Sequence, residues 1–207
     1  MGLINQLIRD PLTFVLGAVP LLYSIIIHEL AHGWVAYKMG DPTAKWAGRL
    51  SLNPLKHLDP IGTLMLFLVG FGWAKPVPVN LNNIPDRRKA LIFVSSAGVL
   101  ANMLIAFTVL LFFRLSSLPT SRITAEIANN LVSINITLAA LNLIPIPPLD
   151  GSKILMGFTS ERVGYFLARM ERYGLFIIIA LFYLGILDFL IDFFRWIIIS
   201  VLKLLLG

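Results

Sequence analysis

The sequence predicts an all-α membrane protein with a three-span core, a re-entrant segment that ends in a β-edge, and further helices at the C-terminus. Three observations carry this reading. Hydrophobic residues make up 57% of the 207 positions and charged residues only 14%, against about 25% charged in an ordinary soluble domain. Mean hydropathy is correspondingly high at +0.84. Apolar runs long enough to cross a hydrocarbon core of about 30 Å recur along the chain, and lysines and arginines gather in the segments between them, as membrane topology requires.

The length suits a single domain over residues 1–207. The formal net charge of +6 is spread over short loops and forms no clustered basic face, which argues against a nucleic-acid partner. No cysteine is present, so disulfides, thiolate metal sites and cysteine nucleophiles are excluded and any metal must be held by histidine and carboxylate. The apolar stretch 12–27 could pass for a secretory leader. It has no small-residue cleavage site and continues directly into His28, so it is expected to be retained.

The first span covers residues 11–37, which is roughly 40 Å of helix. Its ionisable groups are His28, Glu29, His32 and the phenols of Tyr23 and Tyr37. Punctuation by Asp, Pro, Asn and Gly follows over 40–60, where residues 48–53 alternate like a short strand. Residues 61–74 are apolar but broken by Gly62, Gly70 and Gly72, too short for a crossing and suited to a re-entrant segment. Pro76 and Pro78 then flank Val77; two alternate prolines cannot sit within a sheet but suit an extended edge. Together 61–80 form the expected re-entrant segment and edge strand.

The second span is 90–113, with small residues Ser95, Ser96, Ala97, Gly98 and Ala101 in its first half to allow close helix approach. The third is 123–143, ending where Pro145, Pro147 and Pro148 force extended backbone. A fourth span is expected over 163–187, and 188–207 is either a short returning helix or an interfacial amphipathic one. Segments 38–60, 75–89 and 150–172 each hold four lysines or arginines, which places them in the cytoplasm. The first and third spans then both run inward.

His28-Glu29-Leu30-Ala31-His32 lies inside the first span. Histidines four apart share a helix face and can reach one metal, and the intervening glutamate is placed to take a proton from water. Zinc lowers the pKa of bound water to about 7. Such a pattern arises by chance on soluble surface helices, but unpaired ionisable groups inside lipid cost several kcal/mol, so three within five positions call for a function. His28 precedes Lys38 by ten residues, roughly 15 Å below the cytoplasmic boundary. Catalytic zinc takes three protein ligands and keeps a fourth position open. Asp150 is the candidate third ligand, since the inward third span delivers it to the same leaflet; it also suits the N-cap of a helix beginning at Gly151.

These residues, with Asn142-Leu143-Ile144-Pro145-Ile146-Pro147-Pro148-Leu149-Asp150-Gly151, resemble the site-2 proteases, intramembrane zinc metalloproteases, over about residues 10–155. The resemblance implies one Zn2+ per chain bound by His28, His32 and Asp150, with Glu29 as catalytic base. The substrate would be a transmembrane protein cut within or near its spans. It further implies that Asn142 engages the substrate, that Asn102, spaced from Gly98 as in the family, lies near the site, and that the edge carrying Val77 and Val79 holds the substrate extended. Asn102 also fits a plain helix–helix hydrogen bond. His57 matches a pattern of smaller members but reads more readily as an interfacial loop histidine than as a ligand. The expectation is a small member without the PDZ-like or nucleotide-sensing domains, multi-pass in the plasma membrane of a prokaryote, with its site nearer the cytoplasmic side. Two competing readings are a metal transporter, which would spread ligands along several helices, and an inactive relative that only binds spans; the intact Glu29 argues against the second.

Overall fold

A computed structural model describes residues 8–69, 74–116 and 121–207. The chain is helical almost throughout, and no strand occurs among the described residues. Helix α1 (Pro11–Lys38) opens with Asp10, whose carboxylate accepts from the Thr13 N–H, and has proline at its first position; both are standard helix-start chemistry. It buries Ser24, His28, His32 and Ala36. These recur every fourth residue, so a single face is turned inward.

After the short α2 (Thr43–Trp46), α3 (Pro60–Val69) leads into the expected re-entrant segment. Its turn, with Gly70 and Gly72, lies outside the described residues. The expected edge over 75–80 forms no ladder. Its start is tied down by a single antiparallel bridge, Leu58 to Ala74, and by the Lys75 N–H on the His57 carbonyl. Pro76 and Pro78 supply no N–H to extend the pairing. The strand suggested by alternation over 48–53 is likewise replaced by bends: the Ser51 N–H turns back to the Arg49 carbonyl, while the Arg49 guanidinium donates to the Lys75 carbonyl at 2.6 Å.

Helix α4 (Arg87–Leu115), capped by Asp86, and α5 (Arg122–Leu143), capped by Ser121, pack with α1 into the core. The contact face of α4 is built from Ala90, Ser95, Ala97 and Gly98, all buried, so the backbones approach closely. Its outward residues Leu100, Leu104 and Phe112 are exposed, as lipid contact requires. By length and composition α1 and α4 each suffice to cross a membrane. Helix α5 covers the third expected span, but it carries Glu126, Asn129, Asn130, Asn135 and Asn142 and does not qualify on apolarity alone.

Helix α6 (Asp150–Phe158) lies against α4. The expected fourth span is divided into α7 (Glu161–Met170), a 3-10 turn, and α8 (Gly174–Tyr183). Gly185, at φ +69°, turns the chain into α9 (Ile186–Leu206), so that α7 to α9 make at most one crossing, bent by 90°. Helix α9 inserts Ile198 and Leu202 against Val99, Ala106, Ile136, Ala139 and Ala140 of α4 and α5, which closes the core.

Candidate metal centre

His28 and His32 project from the buried face of α1, and Asp150 projects from the first turn of α6. The chain reaches Asp150 through the proline-broken stretch 144–149, and Gly151 lets the turn close. A Cβ there would collide with the Leu143 and Ile144 carbonyl oxygens. One Asp150 oxygen, Oδ2, stands 3.0 Å from His28 Nε2 and 3.1 Å from His32 Nε2. The three donor atoms lie within 4.8 Å of one another. Gly98 forms the floor beneath them, because a Cβ at that position would stand 2.5 Å from both Nε2 atoms.

The far side of each imidazole is fixed. His32 Nδ1 lies 2.6 Å from the Val94 carbonyl oxygen. A carbonyl only accepts, so Nδ1 carries a proton, and in the neutral imidazole Nε2 is the bare nitrogen that faces Asp150. His28 Nδ1 lies 2.5 Å from Asn102 Oδ1. Asn102 Nδ2 donates to Asn135 Oδ1 at 2.7 Å, and Asn135 Nδ2 donates to Ser24 Oγ and to the Leu131 carbonyl, each at 2.8 Å. The centre therefore presents two imidazole lone pairs and a carboxylate oxygen to one point. A single proton could relieve only one of those contacts, whereas a divalent cation relieves all three. Two nitrogens and one oxygen at this spacing fit the zinc donor set, with a hydrogen-bonded partner behind each histidine.

Glu29 follows His28 and points into a cavity of about 500 Å³ lined by both histidines, Asp150, Asn142 and Val77. Its Oε2 accepts the Val77 N–H at 2.8 Å. Val77 is buried and Val79 half-buried on the cavity wall. Asn142 reaches the cavity while donating back to the Leu138 carbonyl at 3.0 Å. Asn102 is fully buried and spends its amide on His28 and Asn135 rather than on the cavity. His57 is away from the metal centre, buried, with Nε2 on the Ser51 carbonyl at 2.7 Å.

Three contributors escape a reading of the sequence. Asn135 and Ser24 look like ordinary polar residues of apolar helices, and the Val94 carbonyl belongs to the backbone, which carries no residue signature. A serine four residues before His28 is the one available cue.

The model of peptidase family M50 matches residues 120–185. YwhC of Bacillus subtilis, which carries the name of a zinc metalloprotease, is 39% identical over 171 residues, covering 79% of this chain and 78% of YwhC. Rip2 of Mycolicibacterium smegmatis, similarly named, is 30% identical over 174 residues, covering 81% and 66%. The zinc metalloprotease MJ0392 of Methanocaldococcus jannaschii is 26% identical over 165 residues, covering 80% and 39%. No solved structure matches. With a histidine–histidine–aspartate centre beside a glutamate in apolar helices, and with YwhC alike over most of both chains, this chain belongs to peptidase family M50 and is a zinc metalloprotease of the membrane.

Proposed function

We propose that the protein cleaves peptide bonds within or near the membrane-spanning segments of other membrane proteins, with one Zn2+ per chain held by His28, His32 and Asp150 and with Glu29 as general base. The observation that carries the proposal is the convergence of two Nε2 lone pairs and Asp150 Oδ2 beside Glu29, in one cavity set among apolar helices. A bound zinc ion supplies Lewis-acid chemistry there, polarising a carbonyl oxygen and making water acidic.

The remaining work falls to the protein's own side chains. Val77 holds Glu29 Oε2, which orients the carboxylate and assigns Oε1 to proton transfer. Glu29 takes a proton from the attacking water as the new C–O bond forms at the scissile carbon. It then delivers that proton to the departing amine nitrogen as the C–N bond breaks, so the carboxylate is regenerated. Asn142, whose Nδ2 faces the Leu138 carbonyl, lies on the wall where the substrate backbone passes.

A helical substrate shields its own peptide bonds, so the scissile stretch must be extended to react. The walls formed by 75–80 and by the proline-rich 144–149 lack ladder partners. Their N–H groups other than that of Val79 are already paired within the chain or belong to prolines, so an extended peptide would meet the Val79 N–H and the carbonyl groups of 76–78 on the cavity wall. Non-helical backbone at membrane depth is tolerated where it lines such a cavity. The lysines and arginines gathered in 38–60, 75–89 and 150–172 support a reading with the site in the cytoplasmic half of a multi-pass protein, which we assign to the plasma membrane of a prokaryote.

The test uses purified protein, a tagged single-span substrate and metal analysis. The Glu29→Gln variant should retain one zinc per chain and leave the substrate uncut. Cutting at the wild-type rate would refute Glu29 as base, and zinc flux into sealed liposomes without cleavage would favour a transporter.

A further inference from the structure

The hydrogen bonds behind His28 have a direction that can be established without knowing any amide orientation in advance. The chain starts at the Leu131 carbonyl oxygen, which can only accept. The Asn135 amide atom 2.8 Å from it must therefore be the nitrogen. That leaves Asn135 Oδ1 facing Asn102, and the Asn102 atom opposite, at 2.7 Å, must be its nitrogen. Asn102 Oδ1 is then the atom turned to His28, so His28 Nδ1 must carry a proton, which in the neutral imidazole leaves Nε2 bare. Ser24 Oγ, the second acceptor of Asn135 Nδ2, lies one turn before His28 on the same face of α1. Asn102 and Asn135 are both fully buried.

We propose that Asn135, on α5, is a positioning residue for the metal centre: through Asn102 it holds His28 in the one tautomer that can offer Nε2 to zinc. The inference rests on His28 being a metal ligand, as proposed above. Neutral imidazole otherwise populates both tautomers, and the one protonated at Nε2 cannot bind metal there. An Asn102 amide free to rotate would present its NH2 to Nδ1 and favour that wrong form. Asn135 excludes the rotation because the rotated Asn102 would set oxygen against oxygen.

The experiment measures zinc affinity by chelator competition, together with the nitrogen spectrum of histidine-labelled metal-free protein in micelles. Wild type should show His28 protonated at Nδ1 alone. Asn135→Leu, similar in size but without hydrogen bonds, should show both tautomers and bind zinc about tenfold more weakly, as loss of outer ligand partners generally does. Adding Asn102→Asp to that variant should restore the Nδ1-protonated form and most of the affinity, because a carboxylate only accepts whichever way it turns. Ser24→Ala should change neither readout, since the Leu131 carbonyl still fixes Asn135.

An unchanged tautomer and affinity in Asn135→Leu would overturn the proposal. So would a loss that Asn102→Asp does not recover, which would reduce Asn135 to a packing role. Should Asn135→Leu fail to insert, Asn135→Ser tests the same point, because its hydroxyl donates or accepts without preference and should also release the tautomer. His28→Ala separates the two levels: zinc affinity unchanged there would remove His28 as a ligand, whatever Asn135 does.

Discussion

A methyl group added at position 98 would stand 2.5 Å from the Nε2 atoms of both histidines, the space a metal needs. Gly98→Ala is therefore expected to abolish stoichiometric zinc binding while leaving helix α4 intact, since alanine is the better helix former. Metal analysis alongside circular dichroism checks both halves of that statement. The same scale shows what a sequence can and cannot disclose. His28, Glu29 and His32 are legible because fixed spacing on a helix puts them on adjoining faces, and Asp150 because span direction delivers it to the same depth. Asn135 is not legible: its role depends on a residue 33 positions away on another helix and on a backbone carbonyl of its own. Asn102 reads from the sequence either as a neighbour of the site or as a helix–helix hydrogen bond, and its buried amide faces His28 on one side and Asn135 on the other.

At the scale of elements, the stretch 75–80 is held against α1 by contacts that alternation and turn rules do not reveal. Asp41, just beyond the end of α1, accepts from the Asn80 N–H and from Asn83 Nδ2, each at 2.7 Å, and from Thr43. Burial would raise its pKa, but these hydrogen bonds outweigh it and hold the carboxyl below its usual value. A carboxyl depressed in the folded state contributes its full stabilisation above the unfolded pKa of about 3.9 and loses it as pH falls through the folded value. Wild type should thus keep this anchor at neutral pH and lose it only under strong acid. Asp41→Ala should lose about 2 kcal/mol at neutral pH and expose 75–80 to faster hydrogen exchange, and the stability difference should shrink below about pH 4. Exchange and unfolding curves of the two proteins provide the comparison. Period-two alternation over 48–53 makes no strand because the described residues hold no neighbouring strand to pair with it. The break in the fourth span was hidden because 174–187 are nearly all apolar, and a left-handed turn at Gly185 leaves no mark on hydropathy.

For the molecule as a whole, the proposed ligands come from two elements far apart in the chain, α1 and α6, with His28 and Asp150 separated by 122 positions. Zinc binding should accordingly lock α6 onto α1. A ligand at one hundred times its dissociation constant stabilises the folded form by about 2.7 kcal/mol. Chelation should abolish proteolysis and lower the melting temperature, and zinc should restore both; melting unchanged by chelation would separate the metal from the fold. The membrane character and the core helices were legible from composition and positive loops. The packing of α9 on α4 and α5 was not, because apolar helices meet in lipid through shape rather than through a pattern of charge.

The buried chain from Ser24 through Asn135 and Asn102 to His28 also bears on the bilayer itself. A hydrolase working at membrane depth must admit water on one side without opening a leak for protons to the other. Carboxamides do not titrate at physiological pH, and two of them, Asn135 and Asn102, stand between the Ser24 hydroxyl and His28. Behind the metal centre the protein is thus ordered but insulating: it can hold an imidazole in register while the ion gradient across the membrane stays intact.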